Sequence, residues 1–312
     1  MSSVHFGVTL PQIKRPWADT RAAALEYEQL GFESLWLNDH LYGVPGPHVP
    51  ILEAWTTLSA VGAVTERAQL GTLVTPIGFR NPALLAKMAA TLDNITNGRL
   101  ILGLGTGWFE MEFSGYGFAF PRLGARLEQL DEAATLIKHL WTDPQATFQG
   151  AHFTVDSVFC EPKPVRKPHP PILIGGGGEK VLLRIVAQHA DIWNNLAVNQ
   201  GDLAHKIAKL REHCAAIDRD PATLTVSQQC MVVIGENEAE AKANVEKAGR
   251  VYGGHLGPGL AGTPEQCIDK IRELAALGCT LFIIEFFGRD PREPARLFAE
   301  RVMPAFREGA GG

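Results

Sequence analysis

Asn38, Asp39 and His40 follow directly on the short apolar run Ser34-Leu35-Trp36-Leu37, which itself begins just after Gly31. The run has the length of a buried strand, and Gly31 suits the left-handed conformation that caps a preceding helix. A buried strand that stops at an amide, a carboxylate and an imidazole delivers titratable groups to the mouth of an α/β sheet. Histidine as a residue type titrates near neutral pH, and its polar neighbours can fix its tautomer. His40 is therefore the candidate proton carrier, with Asp39 beside it. Gly103-Leu104-Gly105-Thr106-Gly107 offers bare backbone for close approach to a flat or anionic ligand, or simply a turn off the sheet rim. Its spacing does not match the G-x-G-x-x-G of dinucleotide folds. Gly175 to Gly178, between a buried strand and a helix, exposes backbone N–H groups that can hold a phosphate. Glu110 and Glu112 read as general acids or, taken alone, as a solvated loop face. Trp108 reads as core or as a ring-stacking surface, and Glu285 as a carboxylate at a strand end.

The elements that must position these groups alternate regularly. Strand-like runs cover Val4–Leu10, Ser34–Leu37, Gln69–Thr75, Arg99–Leu104, Ile172–Ile174, Ile192–Trp193, Leu224–Ile234 and Leu281–Phe287. Helical patterns lie between nearly all of them: Trp17–Leu30, Glu53–Arg67, Pro82–Thr96, Arg122–Trp141, Glu179–His189, Glu238–Arg250 and Pro264–Leu277, with Pro291–Phe306 last. Eight strand candidates separated by helices predict a parallel sheet closed into a (β/α)8 barrel across residues 1–312, with a proline-rich insertion at 142–171 holding a short hairpin. A doubly wound sheet is the competing architecture. In a barrel the catalytic groups lie at the carboxyl ends of the strands, where the polar and glycine clusters above all fall. Those ends hold no lysine for a Schiff base and no His-x-His, which argues against aldolase and metallo-amidohydrolase chemistry.

Composition sets the outer bounds. The chain of 312 residues is 46% hydrophobic and 20% charged, with a net charge of −5, and its basic residues are scattered. That balance supports a full core and gives no footprint for nucleic acid. No apolar run approaches the roughly 18 residues that span a bilayer. The five cysteines, Cys160, Cys214, Cys230, Cys267 and Cys279, form no C-x-x-C, which suits a reducing cytoplasm better than a disulfide or thiolate–metal framework. The start, Met1-Ser2-Ser3-Val4-His5, does not read as a signal peptide.

Several stretches together resemble the luciferase-like monooxygenase superfamily, in its branch of oxidoreductases that use the deazaflavin coenzyme F420. They are Gly31 to His40, Leu70-Gly-Thr-Leu-Val-Thr-Pro76, Arg80 to Lys87, Gly98 to Trp108, Pro171 to Gly178 and Gly262-Thr-Pro-Glu265. The resemblance implies a barrel with the cofactor ring across its strand carboxyl ends, and a non-prolyl cis peptide at Thr72-Leu73 against the ring. By the same resemblance Asp39, Thr72, Leu73, Val74, Thr75, Gly105, Thr106 and Gly107 contact the cofactor, and Gly175, Gly176, Gly177 and Gly178 hold its phosphate. His40 matches the histidine that handles a proton in the branch's sugar-phosphate dehydrogenases. Trp108 stands where those enzymes carry a glutamate, so His40 is expected to work without a partner acid. The implied activity is hydride transfer between F420 and an uncharged small organic substrate, with reduction of an activated C=C or C=N bond ahead of alcohol oxidation. Trp108, Glu112 and Glu285 are then the candidates for the substrate pocket, and specificity is expected in 110–121, 142–171 and 252–262. FMN at the same site with oxygen activation, or flavin binding without catalysis, are the alternatives. A homodimer is expected from the family alone.

Overall fold

The computed structural model of the chain describes residues 3–44, 46–196, 201–252 and 259–307. Residues 253–258, part of one expected specificity segment, lie outside them. The strands are β1 (His5–Thr9), β2 (Ser34–Leu37), β3 (Gln69–Thr72), β4 (Thr75–Pro76), β5 (Leu100–Gly105), β6 (Ala146–Gln149), β7 (Thr154–Val158), β8 (Ile172–Gly175), β9 (Ile192–Asn195), β10 (Thr225–Ile234), β11 (Leu260–Gly262) and β12 (Cys279–Phe286). Parallel pairing runs β1-β2-β3-β5-β8-β9-β10-β12 and closes back on β1, with β4 continuing the β3 position and β11 flanking β10. This is the expected eight-position (β/α)8 barrel.

Period-two alternation along the strands divides the core into two layers. Leu35, Leu37, Leu100, Leu102, Leu104, Ile172, Ile174, Phe282 and Ile284 point outward into the layer between barrel and helices. Trp36, Ile101, Leu173, Ile192, Leu281 and Ile283 fill the barrel interior. Trp36 is wholly buried, and the absence of side chains at Gly7 and Gly71 makes room for it: a Cβ at Gly71 would lie 2.3 Å from the indole. Continuing the inward series one step past this plug gives Thr9, Asn38, Gly103, Gly105, Gly175, Asn194 and Glu285. The apolar floor therefore gives way to polar and glycine positions at the carboxyl ends of the strands.

The helix Trp17–Leu30 ends at Gly31 with φ of 89°, as its sequence predicts, so Phe32 turns straight into β2. Asn81 caps Pro82–Ile95 by accepting from Ala83 N–H at 2.8 Å. The 142–171 segment packs on the barrel: β6 and β7 form an antiparallel hairpin whose Phe148, Phe153 and Val155 join the outer core. Glu132 on the helix Leu123–Thr142 accepts from Ala151 and His152 N–H. Three departures from the sequence reading matter. The third strand is broken into β3 and β4, the Glu53–Arg67 helix shrinks to Ala54–Gly62 with Glu53 as its cap, and Glu110–Gly115 is a helix where only loop was read.

Gly103 lies where the chain crosses behind the break between β3 and β4, and a Cβ there would come within 1.8 Å of the Thr72 carbonyl oxygen. Gly103→Ala is therefore expected to lower unfolding free energy by about 1–3 kcal/mol or more, read as a lower urea midpoint at unchanged slope.

Candidate active site

A cleft of about 740 Å3 opens at the carboxyl ends of the strands, a size suited to a cofactor and a small substrate. Its wall includes Thr9 and Gln12 from β1 and its exit, Asn38 and His40 after β2, Leu73, Val74 and Pro76, Gly105 to Trp108, Gly175 and Gly176, Asn194, Gln229 and Glu285.

The segment between β3 and β4 forms one wall. Leu73 N–H still bonds to Leu37 carbonyl at 2.8 Å, so the ladder runs one residue further than β3 itself. The cis peptide accordingly falls at Leu73-Val74, correcting the Thr72-Leu73 position expected from the resemblance. Both ends of this segment are tied down from behind. Thr72 Oγ1 donates to Gly103 carbonyl at 3.0 Å, and Thr75 Oγ1 lies 2.8 Å from Asp39 Oδ2 and 3.0 Å from Thr72 Oγ1. Val74 then projects over Gly105 and Gly175, where a Cβ would lie 2.5 Å and 3.3 Å from its methyl carbons.

Asp39 anchors this wall. It is 1% exposed, and its carboxylate accepts from Arg80 Nη1 at 2.7 Å, Arg80 Nη2 at 3.2 Å and Trp55 Nε1 at 3.1 Å. Arg80 also donates to Glu53 at 2.6 Å. Burial pushes the Asp39 carboxyl up, against the opposing pull of Arg80 and the Thr75 hydroxyl. These bonds commit Asp39, Thr72 and Thr75 to the layer behind the cleft, and none of the three lines it. Leu73, Val74, Gly105, Thr106 and Gly107 do.

His40 is the cleft's imidazole. Its Nδ1 lies 2.8 Å from Glu112 Oε1, while Glu112 Oε2 accepts from Leu41 N–H at 2.9 Å. A carboxylate only accepts, so Nδ1 carries a proton, and of the two neutral tautomers this contact selects the one whose Nε2 lone pair is free. The Trp108 ring stands edge-on to the imidazole, with centroids 5.8 Å apart. Glu112 is 1% exposed, which corrects its reading as a surface residue and supplies the acid that the sequence appeared to lack. The short helix Glu110–Gly115 turns Glu112 inward beside buried Phe113 and leaves Met111 outside. The spacing of Phe109 and Phe113, four residues apart, was the available signal for that helix. The side-chain roles of Arg80 and Trp55 also escaped the sequence reading, and Gln12, at the end of the first strand, was given no role there. Gln12 bridges strand ends by donating to Asn38 and Leu52 carbonyls and accepting from Asn38 N–H.

The glycine run lies between β8 and the helix Leu182–His189. Gly176 N–H bonds to Asn194 carbonyl at 3.1 Å. The N–H groups of Gly177 and Gly178 have no partner among the described residues. Lys206, buried, donates to Gly177 carbonyl at 2.8 Å, so an ammonium stands beside those free donors. Gly175 and Gly176 line the cleft; Gly177 and Gly178 continue past it.

Residues 1–256 match the family model described as luciferase-like monooxygenase, and the chain belongs to that family. A curated F420-dependent glucose-6-phosphate dehydrogenase of Amycolatopsis mediterranei is 34% identical over 322 residues, covering 91% of this chain and 93% of the relative. An F420-dependent secondary alcohol dehydrogenase, solved with an F420-acetone adduct, superposes with a TM-score of 0.84 at 22% identity, covering 98% of this chain and 100% of the other. The oxygenating component of 3,6-diketocamphane monooxygenase from Pseudomonas putida, solved with FMN, superposes at 0.79 with 16% identity, over 98% and 99% of the two chains. These likenesses at low identity establish the shared barrel.

Removing Arg80 would leave Asp39 buried without its cation. Arg80→Ala is expected to cost about 3–5 kcal/mol of unfolding free energy, with Arg80→Lys losing less, in chemical denaturation monitored by tryptophan fluorescence.

Proposed function

We propose that the chain is an F420-dependent oxidoreductase that transfers a hydride to or from a small organic substrate, acting as a reductase of an activated double bond. The observation that carries this is His40 on the cleft wall with its tautomer set by Glu112, opposite a seat fit for a flat ring. That seat is the Leu73-Val74 segment with the bare backbone of Gly105, Gly107, Gly175 and Gly176. The unpartnered N–H groups of Gly177 and Gly178 beside Lys206 suit a cofactor phosphate. The names of the curated relatives support F420.

In this reading F420 supplies the hydride chemistry at its C5 when bound. Leu73 and Val74 present an apolar surface to its ring, and Gly105 to Gly107 let it approach the β5 exit. Asp39 and Thr75 act through that wall by holding it. His40 Nε2 gives or takes the proton that accompanies the hydride, and Glu112 stabilises the ring when the proton is held there. Trp108, 65% exposed, covers the imidazole on its solvent side. The chain works as one barrel domain, in the cytoplasm, as a homodimer. No helix among the described residues is long and apolar enough to cross a membrane. FMN at the same site is the second reading, favoured by the FMN-bound neighbour.

His40→Ala should lower kcat by about 10²- to 10⁴-fold in anaerobic assays that follow oxidation of reduced F420, with F420 affinity little changed. Unchanged turnover and an unchanged pH profile would remove His40 from the mechanism.

A further inference from the structure

Glu285 is the one inward position of β12 beyond the apolar plug, following Leu281 and Ile283 along the same face. It lines the cleft beside β1, whose Val8 pairs with Ile284. Its carboxylate has no hydrogen-bond donor and no cation among the described residues, and burial pushes its pKa up. The other charged groups on the described wall are already engaged. Glu112 serves His40, and Arg15 donates to Arg289 carbonyl and stands 3.9 Å from Asp19. Thr9, on the neighbouring strand, donates to Ile284 carbonyl, and the Gln229 amide, which accepts from Asn194, is a neutral group that supplies no countercharge. A partly buried carboxylate lacking every usual partner is costly to keep unless something else arrives to meet it.

We propose that Glu285 is a specificity-determining residue and that the substrate of this cleft carries a protonated nitrogen, as an amine or iminium, which the carboxylate receives. The proposal rests on the oxidoreductase reading and replaces the uncharged substrate expected from sequence with a cationic one. A cation entering the cleft supplies the missing partner of Glu285, whereas a phosphate dianion meets a like charge in a poorly solvated place. The A. mediterranei relative named for glucose 6-phosphate shares the fold, but this cleft offers such a substrate only Arg15 among its described lining cations. An iminium is also a competent hydride acceptor. The hydride bonds to carbon while the C=N π pair moves to nitrogen, giving a neutral amine and the oxidised cofactor; where the substrate enters as the neutral imine, the proton that makes it an iminium is the one His40 Nε2 gives.

Binding of three benzyl probes with different head-group charge tests this: benzylammonium and its near-isostere benzyl alcohol, with the bulkier benzyl phosphate as the anion, titrated calorimetrically into the wild type and E285Q, with and without F420. The expected result is benzylammonium at least about tenfold tighter than benzyl alcohol, benzyl phosphate weakest, and the cation preference lost in E285Q. A wild type with no preference for the cation, or a preference that survives E285Q, overturns the proposal. If E285Q melts well below the wild type, the wild-type ranking alone decides. A parallel F420 titration keeps the two readings apart, since failure to bind F420 counts against the oxidoreductase and leaves the probe ranking to judge Glu285.

Discussion

The buried pair between Asp39 and Arg80 is the constraint on which the site depends. A carboxylate taken out of water at the end of β2 is tolerable only with a cation and several donors on it. Arg80, Trp55 and Thr75 supply them from three other parts of the chain. In meeting that need they fix the end of β2, the helix Ala54–Gly62 and the segment that leads into β4 relative to one another. The side chain next to Asp39 is His40, so the placement of the imidazole follows from the burial of its neighbour. The same threonine contact sets where Val74 enters the cleft. Asp39 thus holds the wall from behind the cleft.

The second layer of control is polar and nearer the substrate. Glu112 settles which nitrogen of His40 faces the cleft, and does so while bonded to the backbone N–H of Leu41, so ring and loop are oriented together. The position after Gly105-Thr106-Gly107 is tryptophan, and the acid instead arrives from one turn further along. Glu285 stands on the far side of β1 with no partner among the described residues. The two carboxylates have opposite situations, one saturated by its neighbours and one open to the cleft, and that contrast underlies the different roles we propose for them.

The barrel was legible in the sequence because each strand carries its own period-two pattern between helices with clear ends, such as Gly31 and Asn81-Pro82. The strand ends were legible for the same reason, and with them Asn38, His40, Gly105 and Gly175. The contacts that join distant ends were not. Arg80 meets Asp39 across 41 residues and Glu112 meets His40 across 72, and nothing local in either segment announces its partner. The cis peptide was placed one residue early because the ladder bond from Leu73 to Leu37 depends on the register between two strands. Asp39 was read as a cofactor contact from its place in a motif, and its bonds to Arg80 and Trp55 were not legible there.

The most direct test of the account is the identity of the cofactor the protein takes. Purified from a host that makes both F420 and FMN, the protein is expected to carry F420 by mass and absorption spectrum, and to turn over without oxygen. FMN in the extract together with substrate-dependent oxygen consumption would contradict it.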